Sequence, residues 1–232
     1  MITVSLILPA LYLNDEYRRC IYSIRTALSN KVTFEVISIV RDVESFSSIE
    51  ASDLKIIKED GPGIYDAMNQ GLSQAVGEFV YFIGQDDILL PAASDALMQG
   101  LAVKADIVIA NVFYGHGSIF RNFSSKHVLA WRNWCHQGLF YNRKKFNFIV
   151  ETYPAQFTVQ ADHYANIVFC ADSAVNKVRI NQCVAWYSSE GFSSTVVDRN
   201  FRAAFPRLVR ENIGYVDYLL VVLRRYIFQR NR

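Results

Sequence analysis

The chain has 232 residues, with 24 Lys and Arg against 22 Asp and Glu, and a formal net charge of +2. Hydrophobic residues make up 51% of it and charged residues 20%, so disordered and fibrous classes are excluded. The charge is unevenly distributed, because segment 199–232 holds eight Arg and two acids, whereas residues 1–198 hold sixteen basic residues and twenty acids. This asymmetry predicts a basic tail with a partner of its own.

We predict one domain over residues 1–198 and a basic, amphipathic C-terminal helical extension over residues 199–232, since no linker-like tract marks another boundary. The four cysteines lack CxxC and zinc-finger spacings, which favours reduced thiols and a cytoplasmic location. Met1 leads directly into an apolar strand, and the longest uncharged apolar run, 218–223, is too short to span a bilayer. Peripheral attachment at the inner face of the membrane stays open.

Apolar runs and amphipathic helices alternate through the first half of the chain. The predicted elements are strand 4–8, helix 14–28, strands 34–40 and 54–57, helix 64–76, strand 79–83, a helix that opens at Pro91, and strand 106–112. This alternation predicts a mostly parallel α/β sheet with helices on both faces and a ligand site at the carboxyl ends of the strands. The site is therefore expected after Leu8, Val40 and Ile83.

The second half is less regular, with a helix predicted over about 156–169 and a strand near 178–181. In the tail, apolar residues recur every three or four positions and predict one helical face over 205–228, which Arg207, Arg210, Arg224, Arg225, Arg230 and Arg232 could flank. Such a helix could bind an anionic membrane surface, pack on the sheet, or form a homodimer. No nucleic-acid partner is expected, because the rest of the chain is acidic.

Two adjacent carboxylates, Asp86 and Asp87, directly follow the predicted fourth strand. Neighbouring carboxylates repel each other, and a hard cation such as Mg²⁺ or Mn²⁺ would relieve that repulsion. The alternative is a solvated turn that caps the helix opening at Pro91.

Several blocks in order resemble one known family. Residues 63–71 (Gly-Ile-Tyr-Asp-Ala-Met-Asn-Gln-Gly), Gly77-Glu78 and Gly84-Gln85-Asp86-Asp87 resemble the pattern of family 2 glycosyltransferases, as do the first strand and residues 135–141, 161–164 and 190–194. The resemblance implies the Rossmann-like GT-A fold. It also implies inverting transfer of a sugar from a nucleoside diphosphate sugar, with a UDP-sugar favoured, to a glycan or lipid-linked acceptor in polysaccharide or other glycan biosynthesis.

The resemblance also implies roles for individual residues. Asp162 matches the general base, and Asp87 and Asp86 match the ligands of Mn²⁺ or Mg²⁺. His136 and Gln137 would contact the acceptor or the diphosphate, and the nucleotide sugar would be bound by Pro9, Ala10, Tyr12, Asp42, Gly63, Asp66, Asn69 and Asp86. From the residues alone, Asp162 could instead serve a helix dipole, His136 could be a core residue, and Asp66 and Asn69 could seat a helix.

The chain departs from the family pattern at positions that recognise the nucleotide sugar. Val40 stands where the family has an Asp, so the acid, if used, is Asp42, and Asp60 lies one position too far from Gly63. These departures keep open a non-catalytic module that binds a sugar nucleotide or a glycan. A nucleotidyltransferase is disfavoured, because Pro9-Ala10-Leu11-Tyr12 is not a Gly-rich, basic phosphate loop.

Overall fold

The structure is a computed structural model that describes residues 2–28, 31–49, 51–115, 117–188 and 196–230. The strands are β1 (Val4–Ala10), β2 (Phe34–Val40), β3 (Leu54–Lys58), β4 (Phe79–Phe82), β5 (Ile88–Leu89), β6 (Ile107–Tyr114), β7 (Ser118–Phe120), β8 (Leu139–Asn142) and β9 (Lys177–Tyr187). The helices are α1 (Asp15–Leu28), α2 (Ile64–Gln74), α3 (Ala92–Ala102), α4 (Arg143–Ile149), α5 (Ala161–Ala171), α6 (Arg199–Asn212) and α7 (Tyr215–Arg230).

All of these strands belong to one sheet, in the order β3-β2-β1-β4-β8-β6-β9-β5, with β7 paired to β6. The pairing makes β1, β2, β3, β4, β6 and β9 run in one direction, whereas β5, β7 and β8 run in the other. The predicted mostly parallel sheet is therefore confirmed. Strand β8 had no counterpart in the sequence prediction, and it lies between β4 and β6.

Helices cover both faces of the sheet, as the sequence predicted. Successive side chains of a strand point to opposite faces, so Ile7 of β1 packs with α2, whereas Leu6 and Leu8 pack with α1. One core contains buried residues of α1 and α3, and the other contains buried residues of α2, α5, α6 and α7.

The strand order places a crevice at the carboxyl end of β1. The chain winds from β1 outward to β3 and then returns to β4 on the other side of β1. Such a reversal opens a crevice outside the strand ends, where ligands bind. The loop after β1 is joined to the end of β4, because Gln85 Oε1 accepts a hydrogen bond of 2.7 Å from the Leu11 amide.

Two predicted elements differ in extent from the structure. Helix α5 begins at Ala161 rather than near residue 156. Phe157 is buried from a non-helical segment, four residues before the buried Ala161, and this spacing resembles that of a helix. Strand β9 has eleven residues and extends well beyond 178–181. Its second half pairs with β5, a strand of two residues that is too short to leave a periodic pattern.

The single helical face predicted for the tail is wrong. Gly214, with a φ of 155°, separates α6 from α7, and this φ lies in the region that glycine adopts without a steric cost. Leu208 and Val209 of α6 are buried, whereas Val216 and Leu223 of α7 are exposed. The break at Gly214 removes the continuous register on which the prediction depended.

The packing of α2 on β1 gives a test of the fold. A Cβ at Gly71 would lie 2.5 Å from Ile7 Cγ2, which is part of the buried core. We expect Gly71→Ala to lower the free energy of unfolding by about 1–3 kcal/mol, because overpacking outweighs the gain of about 1 kcal/mol in helix propensity. Urea denaturation measures this change, and Ser73→Ala on the exposed side of α2 is the control. Equal stability of the Gly71→Ala and wild-type proteins would contradict the described packing.

Candidate active site

The Asp86-Asp87 pair after β4 consists of one buried and one partly exposed carboxylate. Asp87 is 1% exposed, and its Oδ2 accepts hydrogen bonds of 2.9 Å from the Gly84 amide and from Gln137 Nε2. Its Oδ1 accepts a bond of 3.1 Å from the Ser188 amide. Burial, followed by the charge of Asp86, raises the pKa of Asp87 to about 7. Asp86 is therefore the carboxylate of the pair that is open to a ligand.

Two glutamines organise the segments around this pair. Gln137 donates to Asp87, and its backbone carbonyl accepts a bond of 2.7 Å from the Tyr81 hydroxyl. Gln85 Oε1 accepts from the amides of Leu11 and Tyr12, at 2.7 and 3.4 Å. Sequence reasoning placed Gln137 at the acceptor or diphosphate and did not select Gln85, although Gln85 belongs to the Gly-Gln-Asp-Asp block. In the structure the side-chain amides of Gln85 and Gln137 hold the loops that frame the crevice.

Asp162 lies in the first turn of α5, with its carboxylate held by two neutral donors. The Tyr65 hydroxyl donates to Oδ1 at 2.9 Å, and Asn133 Nδ2 donates to Oδ2 at 2.6 Å. Burial, together with the nearby Asp162 charge, raises the pKa of Tyr65 well above its usual value, so this hydroxyl stays protonated. The side chain of Asp162 is only partly buried. Asp162 is thus oriented by the protein and still accessible.

A hydrogen-bond chain behind Asp162 fixes the orientation of Asn133. Asn166 Nδ2 donates to Asn133 Oδ1 at 2.9 Å, and the buried Tyr141 hydroxyl donates to Asn166 Oδ1 at 2.5 Å. Because Asn133 Oδ1 accepts the hydrogen bond from Asn166, Asn133 Nδ2 is directed at Asp162. Sequence reasoning missed these residues, because Asn133 and Asn166 meet only through the tertiary fold. Tyr65 could have been found from the Gly-Ile-Tyr-Asp block.

His136 lies in the buried aromatic core. Its Nε2 is 3.1 Å from the Tyr153 hydroxyl, and its ring centroid is 4.9 Å from that of Phe82. Burial lowers the pKa of His136, so its imidazole is neutral near pH 7. This environment favours a positioning role for His136, and its predicted contact with the acceptor or diphosphate stays a prediction.

Asp66 and Asn69 use polar atoms within the protein. Asp66 Oδ2 accepts a bond of 3.1 Å from the Gly63 amide and caps α2. Asn69 makes two bonds to the backbone of Tyr153, donating to its carbonyl at 2.9 Å and accepting from its amide at 2.7 Å. These contacts support the helix-seating interpretation, while direct contact of Asp66, Asn69 and Gly63 with a nucleotide sugar stays a prediction.

The other residues predicted to bind the nucleotide sugar lie at the carboxyl ends of β1 and β2. Pro9 and Ala10 end β1, in register with Ile39 and Val40, and Tyr12 follows them with 68% of its side chain exposed. Asp42 is exposed, and its Oδ1 accepts a bond of 3.1 Å from the Glu44 amide. A cavity of about 360 Å³ follows Asp42 and is lined mainly by apolar residues: Val43, Phe46, Ser47, Ile49, Ala51, Leu54 and Ile56.

The final motif block, 190–194, lies outside the described residues, and it follows Ser188, whose amide contacts Asp87. Within the described part of the chain, no group of three or more His, Cys, Asp or Glu side chains is arranged to hold a metal ion.

The sequence and fold are similar to those of known glycosyltransferases. The model of glycosyl transferase family 2 matches residues 8–164. A PGL/p-HBAD biosynthesis glycosyltransferase of Mycobacterium tuberculosis (strain ATCC 25177 / H37Ra) is 33% identical over 180 residues, which cover 75% of this chain and 68% of that protein. The structure of Staphylococcus aureus TarS 1-349 in complex with UDP-GlcNAc has a TM-score of 0.73 at 14% identity, over 92% of this chain and 68% of that one.

An open sheet with a crevice at its carboxyl edge, acidic side chains at that edge and this family match together define a sugar-transferring enzyme of the GT-A fold. The chain belongs to glycosyl transferase family 2.

The clamp between Asn69 and Tyr153 gives a test of the site's architecture. We expect Asn69→Ala to lower the free energy of unfolding by about 1–3 kcal/mol, because it leaves the amide and carbonyl of Tyr153 without their partner. Thermal or urea denaturation measures the change. Gln74→Ala, near the exposed end of the same helix, is the control. If the Asn69→Ala protein is as stable as the wild type but binds the nucleotide sugar more weakly, Asn69 contacts the nucleotide sugar instead.

Proposed function

We propose that this enzyme transfers a sugar from a nucleoside diphosphate sugar to an acceptor hydroxyl, with inversion at the anomeric carbon, in glycan biosynthesis. The observation that carries the proposal is Asp162, a partly exposed carboxylate held at both oxygens by Tyr65 and Asn133. The name of the mycobacterial relative supports a glycan pathway. TarS structures with UDP-GlcNAc and with UDP support a nucleotide-sugar donor, with UDP-sugars favoured.

Asp162 has the features that a general base needs. Each carboxylate oxygen can accept more than one hydrogen bond, so the two protein donors leave lone pairs for an acceptor hydroxyl. In the proposed reaction Asp162 takes the proton of the acceptor hydroxyl while that oxygen attacks the anomeric carbon. The diphosphate leaves from the opposite face, which inverts the configuration.

Asp86 fits a divalent cation better than Asp87 does. Mg²⁺ and Mn²⁺ are commonly held by one or two carboxylates together with substrate phosphates and water. Asp86 offers a partly exposed carboxylate, whereas Asp87 is only 1% exposed and its oxygens accept three hydrogen bonds from the protein. A cation bound by Asp86 and the diphosphate would neutralise the charge of the leaving group. Asp87, through Gln137 and the amides of Gly84 and Ser188, would keep the Asp86 loop in place.

Replacing the two carboxylates separately tests the proposal. We expect Asp162→Asn to lower the rate of sugar transfer about 10²–10⁴-fold while donor binding is retained, because only the base is lost. Asp86→Asn should lose any Mn²⁺-dependent part of donor binding. Thermal shifts with UDP-, GDP- and dTDP-sugars, with and without Mn²⁺, measure binding, and product formation measures transfer. Asp95→Asn, an exposed acid on α3, is the control.

The outcomes separate the proposal from its competitor. Unchanged transfer by Asp162→Asn would remove Asp162 as the base. A wild-type protein that binds a sugar nucleotide but neither hydrolyses nor transfers it would support the non-catalytic binding module instead.

A matched pair of tyrosine variants tests the positioning of the base. Tyr65→Phe removes the hydroxyl that holds Asp162, and we expect it to lower kcat about tenfold with little change in the KM for the donor. Tyr17→Phe is the control, because this buried hydroxyl donates to Ser38 in the core on the other face of the sheet from α5. Steady-state kinetics measure both variants. Equal effects of the two substitutions would show that the loss is structural.

A further inference from the structure

Helix α7 carries a broad exposed apolar face. The side that faces the body of the protein buries Asp217 and Val221. The other side, which we call the outer face of α7, has eight apolar or tyrosine residues that are 40–71% exposed: Tyr215, Val216, Leu219, Leu220, Val222, Leu223, Tyr226 and Ile227. A continuous exposed face of this kind marks an interaction surface.

Helix α6 carries the complementary feature, a row of exposed arginines. Arg199, Arg202, Arg207 and Arg210 are exposed, and Glu211 is the only acid in α6. This row borders α7, because the Arg210 guanidinium lies 5.9 Å from the Tyr218 ring and Arg225 donates to the carbonyl of Arg202. The two helices thus combine an apolar face with adjacent positive charge.

We propose that the outer face of α7 and the arginines of α6 dock the enzyme onto the surface of an anionic lipid bilayer. Apolar side chains at the boundary between headgroups and acyl chains, beside arginines that attract anionic headgroups, are the combination that interfacial binding requires. A symmetric dimer in which the two copies of α7 pack antiparallel through this face would bring the two arginine rows together, which like-charge repulsion opposes. Among the described helices none is long and apolar enough to span a bilayer. The inference concerns lipid binding and does not depend on the proposed chemistry.

Contacts of the turn 126–130 with α6 and α7 connect this surface to the active site. The His127 ring nitrogen lies 2.7 Å from Asp217, and Lys126 Nζ donates to the carbonyl of Asn212 at 3.0 Å. The turn 126–130 that makes these contacts leads to Asn133, which holds Asp162. The helices of the proposed docking surface are therefore linked through one turn to the segment that orients Asp162.

Vesicle co-sedimentation of the 232-residue chain tests the proposal. The vesicles contain either phosphatidylcholine alone or equal parts of phosphatidylcholine and phosphatidylglycerol. We expect at least about tenfold tighter binding to the anionic vesicles at low salt, and weaker binding as salt screens the arginines. Equal binding to both vesicles, or no binding to either, would overturn the proposal.

Two double variants separate the apolar and electrostatic contributions. Leu219→Ser with Leu223→Ser should weaken binding to anionic vesicles about tenfold, and Arg202→Gln with Arg207→Gln should lower the preference for them by a similar factor. Arg18→Gln with Arg19→Gln is the matched control, because it removes two exposed arginines from α1 on the opposite face of the sheet. All substituted side chains are exposed, so circular dichroism should show unchanged folding. An equal loss in the control would attribute binding to net charge and contradict the proposed surface.

The oligomeric state gives an independent check. Light scattering of the wild-type chain without vesicles should show no dimer that depends on Leu219 and Leu223. A dimer that these substitutions abolish, together with absent vesicle binding, would make a second copy the occupant of the outer face and overturn the lipid assignment.

Discussion

The buried carboxylate of Asp87 is the interaction on which the crevice depends. A buried charge is costly unless hydrogen bonds satisfy it, and Asp87 accepts three, from Gly84, Gln137 and Ser188. These donors come from the end of β4, the turn before β8 and the residue after β9. One group therefore holds together segments that are up to 101 residues apart in the chain.

The other carboxylate of the site is held in a different way. Asp162 is partly exposed and accepts hydrogen bonds from Tyr65 and Asn133, which orient it without enclosing it. Asp87 thus holds together the segments around the crevice, whereas the carboxylate of Asp162 is available to a substrate. The same contrast separates Asp87 from its neighbour Asp86, which lies partly exposed in the turn after β4.

Much of the parallel half of the sheet could be predicted, because β1 to β4 carry long apolar runs separated by periodic helices. The short strands β5 and β8 could not, since two to four residues leave no periodic signal and their pairing partners are distant in the chain. The predicted tail helix failed for a local reason. Gly214 breaks the helix, so residues in one sequence register are divided between buried positions of α6 and the exposed face of α7.

The sequence by itself determined the family, the alternation of strands and helices, and the presence of acids after β4 and at the start of α5. These features are local, so residue order and spacing carry them. Only the tertiary structure decided which acid is buried, which donors hold Asp162, and which side of α7 faces outward. Those properties depend on contacts between distant segments, such as Asn133 with Asp162 and His127 with Asp217. Burial and hydrogen bonding at such contacts arise only when the chain has folded.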